Sequence, residues 1–252
     1  MLRRFVNGRA LFAGILGLFL SANIALAGGV WRVIPIRLDL DAQNKSGVVT
    51  LHNDGEDRLD LQVDAKIWSQ NARGEDLYEP TQELLFFPKI LSIPPKENRV
   101  IRSGIRIPAT ATEKTYRLFI EELPDRDKPK GTAVAIALRF GLPVFVTPAV
   151  PDVDGSATLS VSSKGIVAHV ANGGNQHFRI HSLILQGVDE QGIETWKQKL
   201  DGWYLLAGAS RDYTFALPVK GCREIFRLHL DVDTEKDDFS AELPFESSFC
   251  TP

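Results

Sequence analysis

Apolar and polar residues alternate along most of this chain, and the clearest case is AVAIALRFGLPVFVTP at residues 133–148. In its first half Val134, Ile136, Leu138 and Phe140 alternate with Ala133, Ala135, Ala137 and Arg139. An extended backbone therefore sets bulky apolar groups on one face and smaller or charged ones on the other. Residues 133–146 run for fourteen positions, about 45 Å when extended, where a usual strand has about five or six. A strand that long outruns its own sheet. Two readings are open: both halves are core strands of a sandwich, or part of the row is an edge strand offered to another polypeptide, an exposed apolar edge being otherwise an aggregation liability.

The rest of the pattern is strand after strand. Residues 30–40, 47–53, 59–69, 84–90, 98–107 and 115–123 alternate or run apolar between turn signals such as Asp54-Gly55 and NARGED, and Pro35 marks an edge or a change of partner. The proline- and glycine-containing AVPDVDGSA then forms a bend at about residues 147–155, and further strands are predicted at 157–161, 165–171, 178–187, 212–217, 224–232 and 239–243. Helical periodicity is missing after the leader. The pattern predicts an all-β chain of two sandwiches, a first domain over 28–148 and a second over 149–252.

The leader changes the compartment. Arg3, Arg4 and Arg9 precede an apolar run at 10–20 and the small-x-small triplet Ala25-Leu26-Ala27, which predicts a secretory signal over 1–27 cleaved after Ala27, its apolar run too short for a membrane span. Its loss leaves 26 Lys and Arg against 32 Asp and Glu, a formal charge of −6, so neither nucleic acid nor an anionic membrane is expected as partner. The two cysteines, Cys222 and Cys250, are most simply a disulfide in an exported chain.

Chemistry is scarce. The chain has no GxSxG, HExxH, phosphate loop or EF-hand pattern. His177 and His181 stand about 13 Å apart on an extended strand, too far to share one ion, and read as surface histidines. Neither catalysis, cofactor nor metal is expected. Arg37 and Arg102 lie among apolar strand neighbours. Each fits either an ion pair, with Glu113 or Glu122 as partner, or a fixed guanidinium that receives a carboxylate.

Four motifs then resemble, in order and spacing, the first domain of the PapD-like periplasmic pilus chaperones of the chaperone-usher pathway: RLDLDAQNKSGVVTLHN from Arg37 to Asn53, PKENRVIR ending in Arg102, EKTYRLFIEELP, and IALRFGLPVFVTP. The resemblance covers residues 30–148 and implies two Ig-like β-sandwiches set at an angle with a cleft between them. It implies a chaperone of the periplasm that binds pilus or fimbrial subunits by donor-strand complementation and delivers them to an outer-membrane usher. Val134, Ile136, Leu138 and Phe140 are then the donor strand, which selects the edge reading, and the chaperone could self-associate when alone. Arg37 matches the family's cleft cation for the subunit's C-terminal carboxylate. The family's second cleft residue, a lysine, aligns with Pro143, so Arg102 is the first candidate to replace it, although Arg102 also matches a position that pairs internally with an acid corresponding to Glu113. The RFGLPVFV pattern resembles the archaic or alternative branch. The competing reading is a secreted structural or adhesive fimbrial module, for which residues 28–33 make a poor donor tail.

Overall fold

A computed structural model describes residues 31–109, 111–124, 137–162 and 165–250. The first domain holds β1 (Trp31–Ile34), β2 (Leu38–Leu40), β3 (Ser46–Asn53), β4 (Leu59–Gln70), β5 (Asp76–Pro80), β6 (Leu84–Phe87), β7 (Ile90–Ile93), β8 (Asn98–Ile105), β9 (Lys114–Glu122) and β10 (Arg139–Val146). The second holds β11 (Gly155–Ser162), β12 (Gly165–Asn172), β13 (Phe178–Val188), β14 (Glu194–Asp201), β15 (Tyr204–Leu205), β16 (Ser210–Phe215), β17 (Arg227–Thr234) and β18 (Phe239–Pro244).

Each domain is a sandwich of two sheets. In the first, β1-β3-β8-β6 faces β2-β10-β9-β4-β5, with β7 also on β4. In the second, β11-β12-β16 faces β14-β13-β17-β18, with β15 on β13. The strand expected over 30–40 divides at Pro35 and Ile36 into β1 and β2, which join opposite sheets, and β6 and β7 do the same across Pro88. Proline donates no ladder hydrogen bond, so the chain leaves one sheet there and enters the other. The sequence pattern did not mark β5, β14 or β15.

Alternation explains the cores. Leu59, Leu61, Val63 and Ala65 of β4 point inward with Ile101 of β8, Leu118 and Ile120 of β9, and Leu142 and Val144 of β10. The second core gathers Ile166, Phe178, Leu183, Leu185, Phe215, Leu228 and Leu230. Each domain ties a turn with one buried asparagine at a strand end. Asn53 Nδ2 donates to the carbonyls of Asp57, Ile93 and Pro94, and Asn172 Nδ2 to those of Gln176, Leu205 and Leu206.

Where the domains meet, the alternation rule lapses because both faces of the strands are covered. Trp68 at the end of β4 and Phe145 on β10 point away from the first core, yet are 1% and 0% exposed. They pack with Tyr204 and Leu206 of the second domain in a separate apolar cluster. Polar bonds frame it: Gln70 Nε2 donates to Tyr204 O at 2.9 Å, Leu206 N donates to Gln70 Oε1 at 3.0 Å, and Trp203 Nε1 donates to Asp76 Oδ2 at 3.1 Å. At the second domain's far end Cys222 and Cys250 form a disulfide, tying the segment after β18 to the one before β17.

Candidate functional site: a strand edge and a row of cations

Strand β10 is half-paired. Along its whole length it is hydrogen-bonded to β9, from Arg139 opposite Glu121 to Val146 opposite Lys114. On its other side β2 joins in parallel only from Val144 opposite Leu38 onward. Among the described residues, 139–143 therefore have one strand partner and a second edge that is unpaired. Leu138, just before the strand, is 43% exposed, and its N–H and carbonyl are tied back to Glu122. Phe140 packs at the margin of the first core. Val134 and Ile136 lie outside the described residues. The even-numbered residues of β10 share the inward face with Leu142, Val144 and Val146, so Leu138 and Phe140 continue the core's own row toward an edge where the sheet stops.

The opposite face of the same sheet carries the cations. Pro143 is directly across from Arg117 of β9, while Arg37 immediately precedes Leu38, whose partner Val144 follows Pro143. Adjacent strands are about 4.8 Å apart, so Arg37, Pro143 and Arg117 form one row with the two guanidinium stems flanking the proline. Arg37 is partly exposed, its Nη1 donating to Glu235 Oε2 of the second domain at 2.8 Å and its Nε to Asp39 Oδ2 at 2.9 Å. Burial opposes its charge, but the two carboxylates outweigh that and hold its pKa above the usual arginine value.

Arg117 is the more unusual. It is 6% exposed, sits over the Trp68 ring at 3.8 Å from its centre, and spends Nη1 on Gly141 O at 2.9 Å. Its Nε and Nη2 are buried without a hydrogen-bond partner among the described residues. Burial lowers its pKa, only partly offset by Tyr78, Asp76 and Tyr204 nearby. Buried donors are nearly always satisfied, so Nε and Nη2, approached among the described residues by the Tyr78 hydroxyl, make Arg117 an unusual buried cation.

Residues 32–151, the whole of this first sandwich, match the family described as pili and flagellar-assembly chaperone, PapD N-terminal domain. The first domain belongs to the PapD chaperone family. No curated protein sequence matches the chain. Among solved structures, the CsuC–CsuE chaperone–tip adhesion subunit pre-assembly complex of Acinetobacter baumannii aligns at 16% identity and a TM-score of 0.60, covering 85% of this chain and 98% of that one. The YadV chaperone aligns at 14% identity and TM-score 0.58, covering 85% and 99%. The Salmonella enterica SafA pilin complex with the SafB chaperone aligns at 15% identity and TM-score 0.57, covering 86% and 100%. These likenesses extend over both domains and give the chain the two-domain, PapD-like chaperone fold.

Within that fold several sequence expectations need correction. Arg102 and Glu113 do not pair. Arg102 lies on β8 between Val48 and Phe87, on the outer face of the other sheet, where it borders a shallow hollow of about 310 Å³ with Val48, Leu85 and Phe87. Glu113 is buried at the joint and accepts from His177 N at 2.9 Å and His177 Nδ1 at 2.8 Å. Arg102 and Arg37 thus look out from opposite faces of the PapD-type domain, and one carboxylate cannot touch both. His177 is not a surface histidine: it is 3% exposed, whereas His181 is exposed and pairs with Asp233 at 3.6 Å. Glu122 bonds Trp31 Nε1. The missed residue is Arg117. Only strand register sets it opposite Pro143 in LPVFV; the sequence signal was limited to that stretch being apolar on both faces, which implies a cover from outside the sandwich.

Proposed function

We propose that this chain is a periplasmic chaperone for pilus or fimbrial subunits, exported by removal of residues 1–27, with its domains divided near residue 148. It acts by binding alone, without catalysis. The observation that carries the reading is the edge of β10 at residues 139–143, unpaired among the described residues, with Phe140 within it on the inward face and Leu138 just before it. A subunit lacking one strand can add its sheet to that edge through backbone hydrogen bonds while apolar side chains fill its groove. Val134 and Ile136 extend the same alternation. Burying apolar surface at about 25 cal/mol per Å² gives several kcal/mol over four such residues before ordering costs, so no nucleotide is required.

On the other face of the sheet, Arg37 and Arg117 are the pair suited to a subunit's C-terminal carboxylate. Arg117 takes the place first assigned to Arg102, because it flanks Pro143 on the face that also carries Arg37. The loaded chaperone then delivers its cargo to an outer-membrane usher, and the same edge can mediate self-association of the empty chaperone. Co-expression with the pilus subunits of the source cell, followed by affinity purification, tests this. Leu138→Glu with Phe140→Glu should leave the chain folded and lose the subunit; recovery of wild-type amounts of subunit would overturn the reading.

A further inference from the structure

The two domains are also joined by a chain of alternating charges centred on a buried imidazole. Glu113, just ahead of β9 in the first domain, accepts both the backbone N–H and the Nδ1 of His177. On the other side of the ring, Nε2 stands 3.3 Å from Glu235 Oε1, at ion-pair distance but off the line of a hydrogen bond. The second oxygen of Glu235 returns to the first domain at Arg37, which also holds Asp39. The ring itself stacks on Phe145 of β10, with centroids 3.4 Å apart and planes 9° from parallel, and Tyr204 closes the pocket at 5.7 Å. Lys236, next to Glu235, is turned to Gln176 Oε1.

The ring's protonation decides what this arrangement can hold. As an imidazolium it offers a donor to each carboxylate, one from each domain. As a neutral ring it keeps one N–H for Glu113 and turns a lone pair toward Glu235 Oε1, leaving two largely buried carboxylates with one charge fewer to balance them. Such an uncompensated charge is costly in a water-poor site. Glu235 then has to swing away or draw water in, and either change acts on the domain junction because the same carboxylate holds Arg37.

We propose that protonated His177 is a latch that fixes the angle between the two domains, and that its deprotonation releases them. This does not depend on what the chain binds, although Arg37 rides on the same latch. Burial works against the charge on His177, but Glu113 and then Glu235 outweigh it and raise its pKa above the usual 6.5. The latch therefore stays closed to a higher pH than an ordinary histidine would allow, and opens as the pH rises further.

The test uses the mature chain with spin labels on Gln43→Cys and Ser160→Cys, both exposed positions in different domains, the native cysteines being tied in their disulfide. The expected result is one narrow label-to-label distance at pH 6, a broadened or second population at pH 9, and a broad distribution at both values for His177→Gln. Ring NMR on the unlabelled chain should place the His177 midpoint above 6.5, and Glu235→Gln, which keeps the Glu113 bond, should lower it. Distances indifferent to pH and to His177→Gln would overturn the latch, as would a His177 midpoint at or below 6.5 or one unmoved by Glu235→Gln. Either variant, if folded, separates these outcomes, and the wild-type distances at the two pH values do so without a variant.

Discussion

Replacing Arg117 by methionine separates stability from function, because the two should move in opposite directions. The guanidinium's favourable contacts are the ring of Trp68 at 3.8 Å, worth about 0.5–2 kcal/mol, and the bond to Gly141 O, worth about 1.5–3 kcal/mol for a charged donor. Against these stand the buried Nε and Nη2 without partners, costing about 1–3 kcal/mol each, and the burial of the charge itself, several kcal/mol more. Methionine fills similar volume, keeps contact with the aromatic ring and removes the unmet donors. Arg117→Met should therefore stabilise the empty chaperone by about 1–3 kcal/mol, a rise of roughly 2–4 °C in Tm per kcal/mol for a chain of this size. It should also abolish subunit recovery in co-expression. Thermal melts of the purified mature chain and the co-purification assay read the two arms. A variant that melts lower and still captures its subunit would show the guanidinium to be a structural strut with no part in holding cargo.

Other consequences follow from the same geometry. Phe145→Ala removes the ring that stacks on His177 and touches Trp68 and Tyr204; it should cost about 3–5 kcal/mol and, by calorimetry, split one unfolding transition into two as the joint fails. Glu235 is held down from its ordinary 4.5 to about 2, burial being outweighed by His177 and Arg37. Its contribution is therefore present above pH 4.5 and lost as pH falls toward 2, on the order of 3 kcal/mol at about 1.4 per unit. Urea melts between pH 6 and pH 2.5 should show that loss, and Glu235→Gln should flatten it. Removing the Cys222–Cys250 bond by double serine substitution opens a loop with a sequence separation of 28, which should destabilise the second domain by roughly 3–4 kcal/mol, read by denaturant unfolding.

The legible parts of the chain were those where a single face is buried. Leu59 to Ala65 and Asn98 to Ile105 alternate because one side meets the core and the other is more open to water, and period-two patterns report that directly. Strands β5 and β14 escape notice for the converse reason: DLYEP and ETWKQKLD lie at sheet edges with few buried side chains, so no alternation is imposed on them. His177 reads as a surface residue because Gln176 and Arg179 beside it are polar, and nothing in the order of residues announces that the other domain covers it. Arg102 and Glu113 look like partners in one dimension, yet they belong to a sheet's outer face and to the domain joint, respectively.

Local alternation, and the residues that interrupt it, are enough to establish the all-β class, the two sandwiches, the bend between them and the row of apolar side chains on β10. Three-dimensional packing was needed to set Arg117 beside Pro143 and Arg37, and to bring Glu113, His177 and Glu235 together across the joint. The difference lies in separation along the chain: residues 37, 117 and 143 are gathered by strand register, and residues 113, 177 and 235 by the packing of two domains. Neither leaves a periodic mark in the order of the amino acids.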